Sequence, residues 1–205
     1  MSPSHSFFAL LSRMKYISRW ALMRNATNES LSEHTLETAI LAHALVTLRN
    51  TRFGAEDKPA LSAERAATLA LLHDVPEVLT GDLPTPVKYH SAHLRAAYKQ
   101  VEESACASLL GLLPDDLRGA YAPLLSPGKD EAALWRYVKA ADKLSALIKC
   151  MEERKAGNCE FIRAEASLRD ILRDLRMPEV DCFMEEFLPA YEEPLDGMIG
   201  REAQT

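Results

Sequence analysis

The sequence predicts an all-α fold, a single-domain helical bundle, and three observations carry that prediction. Apolar residues recur at helical spacing along nearly the whole chain, and strand-like alternation is almost absent. The breaks between periodic stretches are short and hold capping residues, Pro or Gly. No repeat, low-complexity tract or long linker divides the 205 residues, a length that suits one domain burying roughly 70% of its unfolded surface.

A first helix is expected from about Ser4 to Tyr16, followed by a structured loop over Ser18-Arg19-Trp20-Ala21-Leu22-Met23-Arg24-Asn25. Ser30-Leu31-Ser32-Glu33 fits a capping box, in which the Ser and Glu side chains satisfy each other's free amides. A long helix should run from there through Leu48. Ser62 suits the N-cap of the next helix, which Pro76 stops just after His73 and Asp74. The segment Gly81-Asp82-Leu83-Pro84-Thr85-Pro86 cannot be regular helix, since it holds one Gly and two Pro. Helices are then expected over about Ala92 to Leu112, Asp116 to Leu125 and Glu131 to Lys155, closed in turn by Pro114, Pro127-Gly128 and Gly157. Two more, about Glu160 to Leu175 and Glu179 to Tyr191, complete a domain over residues 1–193, and residues 194–205 read as a mobile tail.

Composition narrows the function classes. A hydrophobic fraction of 47% and a charged fraction of 26% are ordinary for a soluble globular protein. The net charge of −6 argues against a broad phosphate-tracking surface, so no nucleic-acid partner is expected. A small anionic substrate remains compatible, because one ion and one or two arginines reverse the field locally. No apolar run approaches the ~20 residues of a membrane span, so no membrane partner is expected. Phe7-Phe8-Ala9-Leu10-Leu11 precedes Arg13 and Lys15, the reverse of signal-peptide order. Cys106, Cys150, Cys159 and Cys182 show no C-x-x-C spacing and read as reduced cysteines of a cytoplasmic protein.

The chemistry begins with His73 and Asp74, adjacent at the end of the apolar stretch Ala66-Ala67-Thr68-Leu69-Ala70-Leu71-Leu72. An imidazole and a carboxylate there can both turn toward one ion. His34 lies on the inward stripe of its helix with Thr38, Leu41, Leu45 and Leu48, whereas His43 falls on the opposite face. Asp142 stands among Val138, Ala140, Ala141 and Ala146, a small-residue patch open to close approach. Each has a bland reading: His34 as a core histidine bonded to a backbone carbonyl, Asp142 as the partner of Lys139 or Lys143. Together they read H…HD…D, which resembles the ligand order of the HD-domain metal-dependent phosphohydrolases. Two imidazole nitrogens and two carboxylate oxygens make a borderline donor set, suited to one divalent transition-metal ion: Co, Mn, or another of Fe, Ni and Zn. Such an ion lowers the pKa of a water and offsets charge in the transition state.

The resemblance narrows with His73-Asp74-Val75-Pro76-Glu77-Val78-Leu79-Thr80-Gly81-Asp82-Leu83-Pro84-Thr85-Pro86-Val87-Lys88. With SRWALMRN upstream and SEHTLE around His34, this run is similar to the bacterial YfbR-type 5′-deoxynucleotidases. Those are HD-domain enzymes that remove the phosphate from deoxyribonucleoside 5′-monophosphates. The likeness runs from Phe7-Phe8 through Lys149-Cys150-Met151-Glu152-Glu153 and weakly onward. It implies that His34, His73, Asp74 and Asp142 are the metal ligands, with His34, Asp74 and Asp142 also facing the substrate. It implies that Glu77 orients or deprotonates the attacking water and then helps protonate the leaving 5′-oxygen. Arg19 would orient the phosphate, Trp20 would crowd a ribose 2′-hydroxyl, and Asp82, Leu83, Pro84 and Thr85 would contact the nucleoside. Asp82 would accept from the 3′-hydroxyl, and a homodimer is implied as well.

Bland readings stand beside these. Glu77 suits a helix N-terminus after Pro76, Arg19-Trp20 a surface cation–π pair, and Gly81-Asp82 a plain turn. Val75-Pro76 departs from the smaller or more flexible residues of relatives, and Pro76 should stiffen the link between Asp74 and Glu77. His90 and His93 read as surface residues. The alternatives in function are an HD-domain phosphodiesterase or alarmone hydrolase, and a non-catalytic nucleotide-binding sensor. The Arg19-Trp20 and Gly81-Asp82 segments argue against the first, and Glu77 argues against the second.

Overall fold

The computed structural model describes residues 5–54, 59–88 and 90–199, among which every regular element is helical. Ser4, the tail residues 200–205 and the side chain of Thr85, all part of the sequence reading, lie outside the described residues. α1 (Phe7–Leu11) tightens into a 3₁₀ turn over Ser12–Tyr16, so the single helix expected there is split. Residues 17–29 form a loop closed at its base by a bridge between Ser18 and Ser30. Across it the Leu31 amide donates to the Ile17 carbonyl at 2.8 Å and the Arg19 amide to that of Glu29 at 3.0 Å.

α2 (Leu31–Leu48) begins with the predicted capping box: the Glu33 amide donates to Ser30 Oγ at 3.3 Å, and the Ser30 amide to the Glu33 carboxylate at 2.7 Å. His34, Thr38, Leu41, Leu45 and Leu48 are buried along it and His43 is exposed, as the periodicity predicts. A π-helical turn, Arg49–Phe53, ends it. α3 (Ala63–Leu72) is capped by Ser62, whose Oγ accepts from the Arg65 amide at 3.0 Å. A turn holding His73 to Pro76 leads into α4 (Glu77–Thr80), separate from α3 because Pro76 has no amide to continue the ladder.

The prolines of residues 81–86 exclude less helix than expected. α5 (Thr85–Lys88) starts inside that segment, since Pro86 falls in its first turn, where no amide partner is needed. α6 (Ala92–Gly111), α7 (Asp115–Leu125), α8 (Ala132–Lys155), α9 (Ile162–Asp174) and α10 (Pro178–Glu186) follow in the predicted order. Gly157, at φ 81°, takes the left-handed conformation that stops α8. The last predicted helix is shorter than expected: it breaks at Phe187 and resumes as a 3₁₀ turn over Leu188–Glu192, because Pro189 supplies no amide. In the tail, α11 (Leu195–Met198) is one turn.

α2, α3 and α8 pack together at the centre, with α9 and α10 closing the far side. Leu45 and Val46, Leu69 and Ala70, and Leu144 and Leu147 are fully buried in this core, each large side chain contributing roughly 1.5–3 kcal/mol. A second, smaller core gathers Phe7, Leu31, Val75, Leu109, Leu113 and Leu125. Val75, fully buried there, anchors the turn that carries His73, Asp74 and Glu77. Phe183 and Met184 finish the larger core, and Phe187, 40% exposed, is left at the surface.

The loop of residues 17–29 is tied to α8 by a buried charge. Glu153, 1% exposed, accepts from the amides of Ala26 at 2.7 Å and Thr27 at 3.1 Å and from Asn158 Nδ2 at 2.7 Å, and it pairs with Lys149. Burial pushes its pKa up, but Lys149, Ala26, Asn158 and Thr27 outweigh that and hold the carboxyl down to about 2. A carboxyl depressed on folding contributes stability above its ordinary 4.5, and that contribution is lost as pH falls through about 2. Glu153→Ala also leaves Lys149 buried without its carboxylate. The expected cost at neutral pH is about 3 kcal/mol, or roughly 6–12 °C in Tm, shrinking as the pH is lowered below the ordinary carboxylate range. Equal melting of variant and wild type at neutral pH contradicts this role.

Candidate active site

Four side chains from three helices converge at the seam between the two cores. His34 enters from the first turn of α2, Asp142 from the middle of α8, and His73 and Asp74 from the turn that ends α3. One donor atom from each lies within 4.8 Å of all the others. His34 Nε2 is 3.2 Å from Asp142 Oδ1 and 3.7 Å from Asp74 Oδ2, and His73 Nε2 is 3.0 Å from Asp74 Oδ2 and 3.9 Å from Asp142 Oδ1. Ala140 and Ala141, both fully buried, leave room for this approach beside α8.

Each imidazole is held from behind. His73 Nδ1 donates to the Ala70 carbonyl at 2.7 Å. His34 Nδ1 lies 3.0 Å from Ser145 Oγ, and the Ser145 hydroxyl gives its own proton to the Glu37 carboxylate at 2.6 Å. The serine oxygen is therefore an acceptor, and Nδ1 of His34 carries the proton. Both rings then aim Nε2 inward, and both Nε2 atoms are buried with no hydrogen-bond partner. Two orphaned nitrogens beside two carboxylates fit a divalent cation.

The charges point the same way. Burial works against ionisation of Asp74 and Asp142, yet the histidines beside them hold both pKa values well below the ordinary range. The two carboxylates in turn outweigh burial at His73 and push it up to about 10, whereas burial and Arg19 lower His34. The cluster thus calls for positive charge between its carboxylates. Lys143 reaches Asp142 Oδ2 at 3.0 Å, so the bland pairing is present, but Oδ1 is the atom facing the imidazoles.

Arg19, Trp20 and Asp82 come together on one side of the cluster. Glu29 accepts from Arg19 Nη1 at 2.9 Å with one oxygen and from Trp20 Nε1 at 2.7 Å with the other. Trp20 adopts a left-handed backbone, φ 61°, which costs a bulky residue about 1–3 kcal/mol and persists only where surroundings hold it. Besides Glu29, the Met23 amide bonds its carbonyl at 2.8 Å and Phe161 packs on its ring at 5.3 Å. Burial opposes the charge of Arg19, but Glu29, Asp142, Asp74 and Asp82 outweigh it and raise its pKa. These residues line a cavity of about 150 Å³ with Leu83 and Pro84, so the segment read as nucleoside-contacting faces Arg19 and Trp20.

Glu77 stands outside the four-atom group. It opens α4 just after Pro76, as its bland reading has it, but it is 7% exposed and its Oε2 has no partner. Burial, then Asp74 and Asp82, push its carboxyl up to about 9. It borders a cavity of about 350 Å³ with His73, Asp74 and Lys88, whose ammonium pairs with Glu102 at 2.8 Å. His90 and His93 are exposed, and no second cluster suited to a metal occurs among the described residues.

The sequence reading missed Glu29, Glu37, Ser145 and Glu153. Glu37 lies one turn from His34, and Ser145 is a hydroxyl one turn from Asp142 in an otherwise apolar face, so helical spacing held a signal for both. Helical spacing pairs Glu153 with Lys149, but no spacing announces its bonds to the amides of Ala26 and Thr27 or those of Glu29 to Arg19 and Trp20.

The chain matches the family model of YfbR-like 5′-deoxynucleotidases over residues 6–191. It is 48% identical over 196 residues to the 5′-deoxynucleotidase of Erwinia tasmaniensis and 46% identical over 196 to 5′-deoxynucleotidase YfbR of Shigella flexneri serotype 5b, with 96% of each chain covered. Among solved structures it is similar to an HD-domain phosphohydrolase from Listeria innocua, with TM-score 0.79 and 25% identity over 95% of this chain and 92% of that one. A cyanophage S-2L HD phosphohydrolase, bound to dA and one catalytic Zn²⁺ ion, shares the fold with TM-score 0.61 and 18% identity over 91% of this chain and 96% of that one. The chain belongs to the YfbR-like 5′-deoxynucleotidase family and has the helical HD-domain fold.

Removing Glu29 should release the strained Trp20. With Trp135→Phe as background, Trp20 is the one remaining tryptophan of two. Glu29→Ala is then expected to red-shift its emission and to speed quenching by acrylamide. Unchanged emission and quenching contradict the claim that Glu29 holds the indole.

Proposed function

We propose, from this family membership and the site, that the protein hydrolyses deoxyribonucleoside 5′-monophosphates to the deoxyribonucleoside and phosphate, using one divalent transition-metal ion. The observation that carries the reading is the pair of orphaned Nε2 atoms between two carboxylates, set beside the cavity of Arg19, Trp20 and Asp82. His34, His73, Asp74 and Asp142 hold the ion: Mn or Co, or another of Fe, Ni and Zn. Bound there, the ion supplies a more acidic water and positive charge against the phosphate.

The protein's own groups do the rest. The Arg19 guanidinium, held charged and in place by Glu29, presents its free donors to phosphate oxygens and sets the phosphorus in line for attack. With the carboxylate of Asp74 offset by a cation in the cluster, Glu77 is favoured in its ionised form, and its unpartnered Oε2 then takes a proton from the attacking water as the O–P bond forms. The same carboxyl returns it to the 5′-oxygen as the P–O5′ bond breaks, so the deoxyribonucleoside leaves neutral at that position. Trp20 walls the sugar where a 2′-hydroxyl would stand, and Asp82 accepts from the 3′-hydroxyl, with Leu83, Pro84 and Thr85 along the nucleoside. His34, Asp74 and Asp142 face the phosphate from the cluster.

The proposal includes a cytoplasmic homodimer. Four unpaired cysteines suit a reducing compartment, and among the described residues no helix is long and apolar enough to cross a membrane.

Two outcomes follow for activity. Asp74→Ala or His73→Ala should lose both the ion and phosphate release, whereas Glu77→Ala should keep the ion and lose roughly 10²–10⁴-fold in turnover. Metal content and dAMP hydrolysis measured on the same preparations check this, and parallel loss of metal and rate in Glu77→Ala would make Glu77 a ligand. Wild type is expected to prefer dAMP to AMP, with Trp20→Ala narrowing that ratio. Equal wild-type rates on dAMP and AMP contradict the role given to Trp20.

A further inference from the structure

We infer that Glu37 and Ser145 are positioning residues that hold His34 as the Nδ1–H tautomer and thereby set how tightly the cluster binds a cation. The inference rests on the function proposed above and assigns it two residues that supply no atom to the four-atom cluster and do not line the substrate cavity. The geometry is a complete chain. Glu37, one turn beyond His34 on α2, accepts the hydroxyl proton of Ser145 at 2.6 Å, and Ser145, one turn beyond Asp142 on α8, accepts from His34 Nδ1 at 3.0 Å. The two helices that each carry a cluster residue therefore each supply, a turn later, one link of its support.

A serine inside a helix ordinarily returns its proton to a carbonyl of the preceding turn. Ser145, fully buried on α8, instead spends it across the helix interface. The Glu37 carboxylate can only accept, and that fixes the direction of the chain from His34 through Ser145.

The competing tautomer shows why the support matters. Without the serine oxygen, Glu29 Oε1 stands 3.7 Å from His34 Nδ1, beyond hydrogen-bond reach and already engaged by Arg19. On the other side of the ring, Asp142 and Asp74 lie 3.2 and 3.7 Å from Nε2 and favour a proton there. A proton on Nε2 consumes the lone pair that a cation needs. Ser145 and Glu37 hold the proton on the far nitrogen.

The test uses metal-free full-length protein, Zn²⁺ as probe in competition with a chromophoric chelator, and long-range ¹H–¹⁵N spectra of the His34 ring. Ser145→Ala is expected to bind Zn²⁺ roughly 10–100-fold more weakly and to shift the His34 proton to Nε2. Glu37→Leu should lose part of that affinity, and Ser145→Thr, which keeps the hydroxyl, should restore it. Wild-type affinity and an Nδ1–H ring in Ser145→Ala would overturn the inference. So would equal loss of affinity in Ser145→Thr and Ser145→Ala with the tautomer unchanged, which marks a packing role. If wild type releases no phosphate from dAMP while the Zn²⁺ and tautomer results hold, the proposed function fails and the positioning role stands.

Discussion

Asp74 and Asp142 bring two carboxylates together in a seam between hydrophobic cores, where unpaired negative charge is expensive. Much of the local architecture follows from that. The histidines that face them are each fastened through Nδ1, one to a backbone carbonyl and one to a serine, so that Nε2 of each ring points at the carboxylates. Small residues on α8 leave the space, and the fully buried Val75 keeps the His73–Asp74 turn on the second core. Packing on both sides sets the donor atoms before any cation arrives, which is the pre-organisation that metal sites require.

A second set of buried charges positions the substrate side. Glu29 ties down Arg19 and Trp20, and Glu153 with Lys149 ties the following stretch of the same loop to α8. The left-handed conformation of Trp20 is unfavourable by itself. It survives because the loop is clamped at both ends, and it directs the indole toward Asp82, Leu83 and Pro84. The loop thus depends on carboxylates that make no contact with the cavity's contents.

Much of this was legible in the sequence because helices carry their information locally. The capping box at Ser30, the Ser62 cap, the Gly157 stop and the inward stripe through His34 each follow from spacing within a turn or two. The four cluster residues were legible as a pattern of types in helical settings. Boundaries failed where proline was judged by presence and not by position: Pro86 is tolerated in a first turn, and Pro189 breaks a helix that periodicity extended to Tyr191. The unseen contributions were side-chain bonds between segments far apart in sequence, such as Ser145 to Glu37 and Glu153 to the amides of Ala26 and Thr27. Those depend on how helices meet, which no single stretch encodes.

The central claim is that His34, His73, Asp74 and Asp142 form one pre-set cation site that uses Nε2 of both imidazoles. Anomalous diffraction from crystals grown with Mn²⁺ tests it most directly. The expected result is a single anomalous peak per chain, within bonding distance of both Nε2 atoms and of one oxygen from each carboxylate. A peak at Nδ1 of either histidine, two peaks in the cluster, or none at saturating Mn²⁺ would contradict it.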